Sequence, residues 1–244
     1  MGNLLNNDGV NSVFALVPNY QAGKDAIVGL ERTYKGRVVD RSLFKLGESD
    51  FQAEISRVRA QAPQAILFFG PGAMGTAFFK QWAASGIGKG IGVYSVFTVD
   101  QIIVPAIGDA AVGSLLTSFW DPESKSPANE RFAKSYLARF NHRPSLFAVT
   151  GYDGARMIAG AVRSLNGKVD DGLVLARAMR TAEAPSPRGP FKINVNGFPI
   201  QNFFKQEVVR ETSGPEIVTR GVVTRDLRDA YWERCPVDKR NSGG

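Results

Sequence analysis

Apolar and polar residues recur along this chain with two different periods, and each change of period marks a boundary between elements. The clearest change falls in Ala65 to Trp82, where a five-residue apolar run (AILFF) meets Gly70-Pro71-Gly72 and opens into an amphipathic segment. That profile predicts a buried parallel strand handing over to a helix. Val13 to Val17 reads as an earlier buried strand, followed by a loop from Pro18 to Gly23 and a helix with Ile27, Leu30 and Tyr34 on one face, closed by Gly36. Val38 to Phe44 is a second strand. Ser49 and Gln52 then have capping-box spacing, and Phe51, Ile55, Val58 and Ala62 follow at i, i+4, i+7 and i+11 until Pro63 stops the helix. Ile91 to Phe97 is a fourth strand ending in the loop Thr98-Val99-Asp100, and Gly113 to Phe119 is a fifth strand-like run. The order β-α-β-α-β-α-β with right-handed crossovers predicts a doubly wound parallel sheet.

The pattern changes at Trp120. Asp121 to Pro127 is a polar connector of the kind that passes between domains. Helical spacing follows at about Asn129 to Phe140 and at Phe147 to Leu165, the latter with Tyr152, Ala155, Ile158, Ala159 and Val162 along one stripe. A third helix is expected from Asp171 to Thr181, with Asp170 or Asp171 as cap. No strand long enough to cover these helices lies among them. Phe191 to Val195 is a short strand closed by Asn196-Gly197, and Pro199 argues against a regular tight hairpin there. Phe203 to Arg210 and Ile217 to Thr224 form a hairpin about Ser213-Gly214-Pro215, and Lys239 to Gly244 reads as a frayed end.

Composition narrows the chemistry. The 244 residues are 43% apolar and 22% charged, as in an ordinary globular protein. Thirty Lys and Arg against 23 Asp and Glu give +7, but the basic residues are scattered, so a solvated basic face is expected rather than a nucleic-acid surface. Cys235 is the only cysteine, which leaves no intrachain disulfide and no cysteine metal site. His142 is the only histidine; no G-x-S-x-G elbow accompanies it, and a triad on it is not expected. No metal and no cofactor is expected. Met1 to Asn11 shows no secretory pattern and no apolar run reaches bilayer length, so the sequence taken alone reads as soluble and untargeted.

Ligands of open α/β sheets collect at the carboxyl ends of the strands. Gly70, Gly72 and Gly75 satisfy G-x-G-x-x-G, which makes a nucleotide-dependent enzyme one reading. Against it, the expected acidic residue is replaced by Tyr94, Ser95, Val96 and Phe97, and Pro71 removes one amide from the loop. Glycines that permit a tight turn and close helix packing are the preferred account. Met74 and Phe97 also fit core positions, at helical and strand spacing. Tyr20 and Gln21 stand in a loop where little else explains an aromatic and an amide.

Several colinear motifs carry a resemblance: Pro18-Asn19-Tyr20-Gln21-Ala22-Gly23-Lys24-Asp25, Leu46-Gly47 before Asp50-Phe51, Gly72-Ala73-Met74-Gly75 with Phe79-Lys80-Gln81, and Val96-Phe97-Thr98-Val99-Asp100. Gly108 to Gly113, Gly151-Tyr152-Asp153 and Pro199-Ile200-Gln201-Asn202-Phe203 continue it. Together they resemble the type I periplasmic binding proteins that serve ABC importers, in the leucine/isoleucine/valine-binding branch, which includes receptors for aromatic acids. The resemblance covers nearly all of Val13 to Cys235, and it begins partway through the family pattern. It implies a second lobe over residues 12–119 and 200–232 and the returning, mostly helical part of an incomplete first lobe over 121–199. It also implies hinge closure on a solute without catalysis.

The resemblance places ligand contacts at Tyr20, Gln21, Ala22, Gly72, Met74, Phe97 and Thr98, with Trp120 near a crossover and Tyr152 facing across. Many members carry an aromatic residue where this chain has Ala22. Amino-acid binders place a carboxylate on the fourth-strand loop where this chain has Val96 and Phe97. Both departures favour an apolar or aromatic carboxylate over an α-amino acid, and they equally fit a truncated remnant relaxed from ligand selection. The implied partners are a small solute, a branched-chain or aromatic amino acid or an aromatic acid, and an ABC permease. The implied location is the periplasm, or the cytoplasm if the sequence is complete as given. A third reading makes the uncovered helices after Trp120 an interaction surface, with self-association through them.

Overall fold

The alternation within the strands of the first half decides its layers. A computed structural model describes residues 1–88, 90–181 and 185–236. Its chain divides into two compact units, residues 1–118 with 205–223, and residues 119–204 with 224–244.

The first unit is built on parallel strands β1 (Ser12–Pro18), β2 (Arg37–Phe44), β3 (Ala65–Phe68), β4 (Gly92–Ser95) and β5 (Leu115–Ser118) in the order β2-β1-β3-β4-β5. Successive side chains of a strand point to opposite faces. Val13, Ala15, Val17, Ala65, Leu67 and Tyr94 therefore share one buried cluster with Leu4 and Leu5 of α1 (Gly2–Asn7) and Ile27 and Leu30 of α2 (Gln21–Thr33). Phe14, Leu16, Ile66, Phe68 and Val93 share the other with α3 (Gln52–Gln61), α4 (Ala73–Ser85) and α5 (Val104–Ile107). Both faces of the sheet are covered, the doubly wound arrangement that near-continuous apolar strands require. On the second face, Phe68 stacks on Phe78 at 3.9 Å between ring centroids, and Phe51 meets both edge-on.

Two longer strands, β7 (Pro199–Glu211) and β8 (Gly214–Leu227), pair through a short turn and run through both units; β7 lies beside β5, with Val208 exchanging backbone bonds with Gly113 and Ser114. The second unit holds α6 (Pro127–Phe140), α7 (Leu146–Ser164), α8 (Gly172–Thr181) and β6 (Lys192–Ile193). Ser126, Ser145 and Asp171 cap the three helices by accepting first-turn amides. Its small core joins Trp120, Phe132 and Val149.

Several local expectations change. Helix α1 carried no periodic signal in its six residues, yet it buries two leucines. Helix α2 starts at Gln21, so Gln21 and Ala22 lie in its first turn and not in a loop. It ends at Thr33 on an extended Tyr34, not at Gly36. Ser49 does not cap α3: the orphan amide of Phe51 is taken by the Gln81 side chain at 2.8 Å, and that of Gln52 by Asp50. The fourth strand ends at Ser95, before Phe97. Despite Pro199, β6 and β7 do form an antiparallel hairpin, because Pro199 opposite Ile193 is the first residue of its strand and owes no ladder bond from its nitrogen. The unit boundary falls at Phe119, two residues before the expected connector, and the first unit includes Met1 to Asn11. Lys239 to Gly244 lies outside the described residues. No helix among the described residues is long and apolar enough to cross a membrane.

Candidate functional site

Strands β1, β3 and β4 end side by side, and their carboxyl-end loops bring Tyr20, Phe69 and Phe97 together in the first unit. The Tyr20 and Phe69 rings are 6.1 Å apart and tilted, and Phe97 meets Phe69 edge-on at 6.4 Å. Helices α2 and α4 both begin at this edge. Neither has a side-chain cap nor an acidic residue in its first turn, so their leading amides and positive dipole ends face the loops. Such an edge suits an anionic group beside an aromatic body.

Glycine is required at particular points here. A β-carbon on Gly23 would sit 2.0 Å from the Pro18 carbonyl oxygen, so the first turn of α2 closes onto the end of β1 only without a side chain. Gly72 caps α4 at φ +67°, and a β-carbon on Gly75 would strike the Gly70 carbonyl oxygen and the Thr98 methyl, both at 2.7 Å. The glycines of G-x-G-x-x-G therefore serve the turn and the helix packing.

Phe97 is the least ordinary residue of the edge. It is 53% exposed and holds φ +49°, a left-handed conformation that costs a bulky side chain roughly 1–2 kcal/mol. What fixes it is its neighbour. Thr98 is buried, its hydroxyl accepts from the Gly70 amide at 2.9 Å and donates to the Val96 carbonyl at 2.9 Å. The carboxylates nearest in sequence are spent locally: Asp25 accepts from the Gln21 amide at 2.8 Å, and Asp100 accepts from the backbone of Ile102 and Ile103 at 2.7 and 2.9 Å.

The expected site residues therefore separate. Tyr20, Gln21, Ala22, Gly72 and Phe97 stand at the edge with at least part of their surface exposed. Met74 joins the core, its sulfur accepting from the Gly47 amide at 3.3 Å, and Thr98 positions the loops from beneath. Trp120 and Tyr152 belong to the second unit. There the Trp120 indole donates to Asn129 at 2.8 Å and Tyr152 packs on Phe132 at 4.7 Å.

Two features escaped the sequence. Phe69 was absorbed into the apolar run of its strand, although the strand stops one residue earlier. In the second unit, buried Asp153 accepts from Ser186 and Arg188, both at 2.6 Å, while Arg188 also donates to Gln201 at 2.8 Å and stacks on Phe191. Asp153 and Gln201 stand in motifs quoted above, but nothing in the spacing pairs them with Arg188. Among the described residues no group of His, Cys, Asp and Glu is arranged to hold a metal ion.

The comparisons agree with this architecture. The sequence model of the family described as "Periplasmic binding protein" matches residues 1–214. The Leu/Ile/Val-binding protein homolog 6 of Brucella abortus (strain 2308) is 27% identical over 215 residues, which are 84% of this chain and 55% of that protein. This chain thus spans about half the length of the curated relatives it matches. Among solved structures, an ABC-transporter solute-binding protein from R. palustris in complex with benzoate superposes with a TM-score of 0.86 at 26% identity, covering 94% of this chain and 63% of that one. A solute-binding protein from Rhodopseudomonas palustris BisB5 in complex with 3,4-dihydroxybenzoic acid gives 0.85 at 28%, covering 94% and 64%. The family is periplasmic, binds small solutes for ABC transporters and performs no catalysis. A doubly wound sheet with an aromatic edge, matched over residues 1–214 by the family pattern, makes this chain a member of the type I periplasmic binding proteins, of the leucine/isoleucine/valine-binding type.

Proposed function

We propose that this chain supplies ligand-facing loops of a periplasmic solute-binding protein for an ABC importer, and that its solute is an aromatic carboxylate. The aromatic row Tyr20-Phe69-Phe97 carries the reading, because it lies beside two uncapped helix starts and the acidic side chains nearest in sequence are already engaged. An α-amino acid would bring an ammonium group to this edge, and a desolvated ammonium needs a carboxylate that the edge does not offer. The two R. palustris proteins, crystallised with benzoate and 3,4-dihydroxybenzoic acid, support the same class. In this reading the edge belongs to the second lobe, residues 12–119 and 200–232, and residues 121–199 to the first. Partners are the solute and a permease. In this reading the protein binds without chemistry, as its family does.

Thermal unfolding with leucine, phenylalanine, benzoate and coumarate tests the proposal. A ligand that binds only the folded state raises the midpoint once its concentration passes its dissociation constant. Benzoate or coumarate is expected to do so and leucine is not. A shift with leucine alone overturns the aromatic reading, and a midpoint that none of the four moves shows that these loops do not bind by themselves.

A further inference from the structure

The second unit holds a cavity of about 950 Å³, a volume in the range of pockets that take small organic ligands. Four segments of that unit line it: the start of α6, the middle of α7, the end of α8 and the chain from Pro185 to Ile193. Met157 is the contribution of α7. It stands one turn from Asp153 and one turn from Ala161, on the buried side of the helix, and turns away from exposed Phe147 and Ile158.

The wall is of two kinds. Met157, Met179 and Phe191 give it an apolar part, and unbranched thioethers adapt to ligands of more than one shape. Arg131, Arg180 and Lys192 bring three positive charges to the same space. Arg180 is partly engaged, donating to the carbonyls of Asn194 and Val195 at 3.4 and 3.1 Å. The side chains of Arg131 and Lys192, both exposed at the mouth, have no ion pair or hydrogen bond among the described residues. No Asp or Glu stands among the described lining residues, and Asp153, one turn from Met157, is held by Ser186 and Arg188. Like charges gathered around a partly apolar space repel one another, and a bound anion relieves that repulsion.

We propose that this cavity is a second ligand site, separate from the aromatic edge, and that it takes an organic dianion with an apolar body. A lone phosphate answers the charge and leaves the apolar wall in water. A neutral ring covers the wall and leaves the cations unpaired. A body bearing two carboxylates offers one to each unpartnered cation and covers the thioethers as well. The site uses no residue of the Tyr20-Phe69-Phe97 row, so it stands or falls apart from the proposed function.

Calorimetric titration and thermal unfolding of the full chain with naphthalene-2,6-dicarboxylate test it, with inorganic phosphate and 2-naphthylmethanol as charge-only and body-only probes. The dicarboxylate is expected to bind at least about tenfold more tightly than either. Arg131→Gln and Lys192→Gln should each weaken it by about tenfold and leave the unfolding midpoint without ligand unchanged. Tyr20→Ala should leave the affinity unchanged. Phosphate binding as tightly as the dicarboxylate makes the cavity a plain anion site and overturns the proposal, and equal binding of 2-naphthylmethanol removes the role of charge and does the same. An affinity that neither charge variant alters, or that Tyr20→Ala abolishes, places the ligand elsewhere and overturns it. So does the absence of both heat and a midpoint shift at millimolar dicarboxylate.

Discussion

The hydroxyl of Thr98 accepts the Gly70 amide at 2.9 Å, across 28 residues of sequence, and so ties the fourth-strand loop to the glycine turn. The same oxygen donates to the Val96 carbonyl. Thr98→Val keeps the shape and takes the hydroxyl from a buried amide and a part-buried carbonyl, a loss of about 1–3 kcal/mol. Urea unfolding should show that loss. Thr98→Ser should recover most of it, and an equal loss in both variants would assign the effect to packing of the methyl group.

Phe97 is held in a left-handed conformation by that tie. Phe97→Gly removes the conformational strain, and Phe97→Ala removes the ring but keeps most of the strain. The glycine variant should be the more stable of the two by about 1 kcal/mol. Neither should respond to benzoate or coumarate in thermal unfolding. Retained binding in both variants would remove Phe97 from the ligand edge.

Gly23 and Gly29 lie on the same helix, and their environments differ. A β-carbon at Gly23 would collide with the Pro18 backbone, whereas Gly29 has nothing within 4 Å. Gly23→Ala should cost about 1–3 kcal/mol by overpacking. Gly29→Ala should stabilise by about 0.5–1 kcal/mol through helix propensity. Guanidinium midpoints of the two variants, moving in opposite directions, would verify the close approach of α2 to the end of β1.

Arg188 neutralises buried Asp153 and also holds Gln201. Arg188→Met leaves a buried carboxylate with only the Ser186 hydroxyl, an expected loss of about 3–5 kcal/mol. Combining it with Asp153→Leu should restore much of that loss, since removing both charges avoids burying one alone. A double variant as unstable as the single would show that the network acts through Gln201 instead.

Tyr94 donates to Asp8 at 2.9 Å; burial first, then the hydrogen bond and the charge of Asp8, raise its phenol well above the usual tyrosine value. The folded state thus favours the protonated ring. That contribution is complete below the unfolded pKa of about 10 and is lost as pH rises toward the folded value. Stability should decline above about pH 10, and Tyr94→Phe should flatten the decline. Urea midpoints taken across that range are the measurement, and an unchanged slope in the variant would show that another group governs it.

Much of the fold was legible because its signals are local. Phe51, Ile55 and Val58 share a helix face at any tertiary arrangement, and the structure buries all three. The parallel order followed from the crossovers, and the helices after Trp120 read as uncovered because no long strand lies among them. The site was less legible. Met74 and Thr98 stand in motifs of the family, yet one fills the core and the other braces the loops from below. Phe69 was hidden in a strand, and Pro199 argued against a hairpin that its position at the start of β7 permits.

By itself the sequence determined the longer helices and most of the strands, though not the short helices α1 and α5, which faces of the first unit are apolar and which family the motifs resemble. Periodicity fixes these because a side chain's direction depends on its own backbone. Only the tertiary structure decided that Phe97 stands exposed while Thr98 beside it is buried, that Gly23 must lack a side chain, and that Asp153 meets Arg188. Each of these depends on an atom supplied by another segment, up to 35 residues away in the case of Asp153, and no local period encodes such a partner.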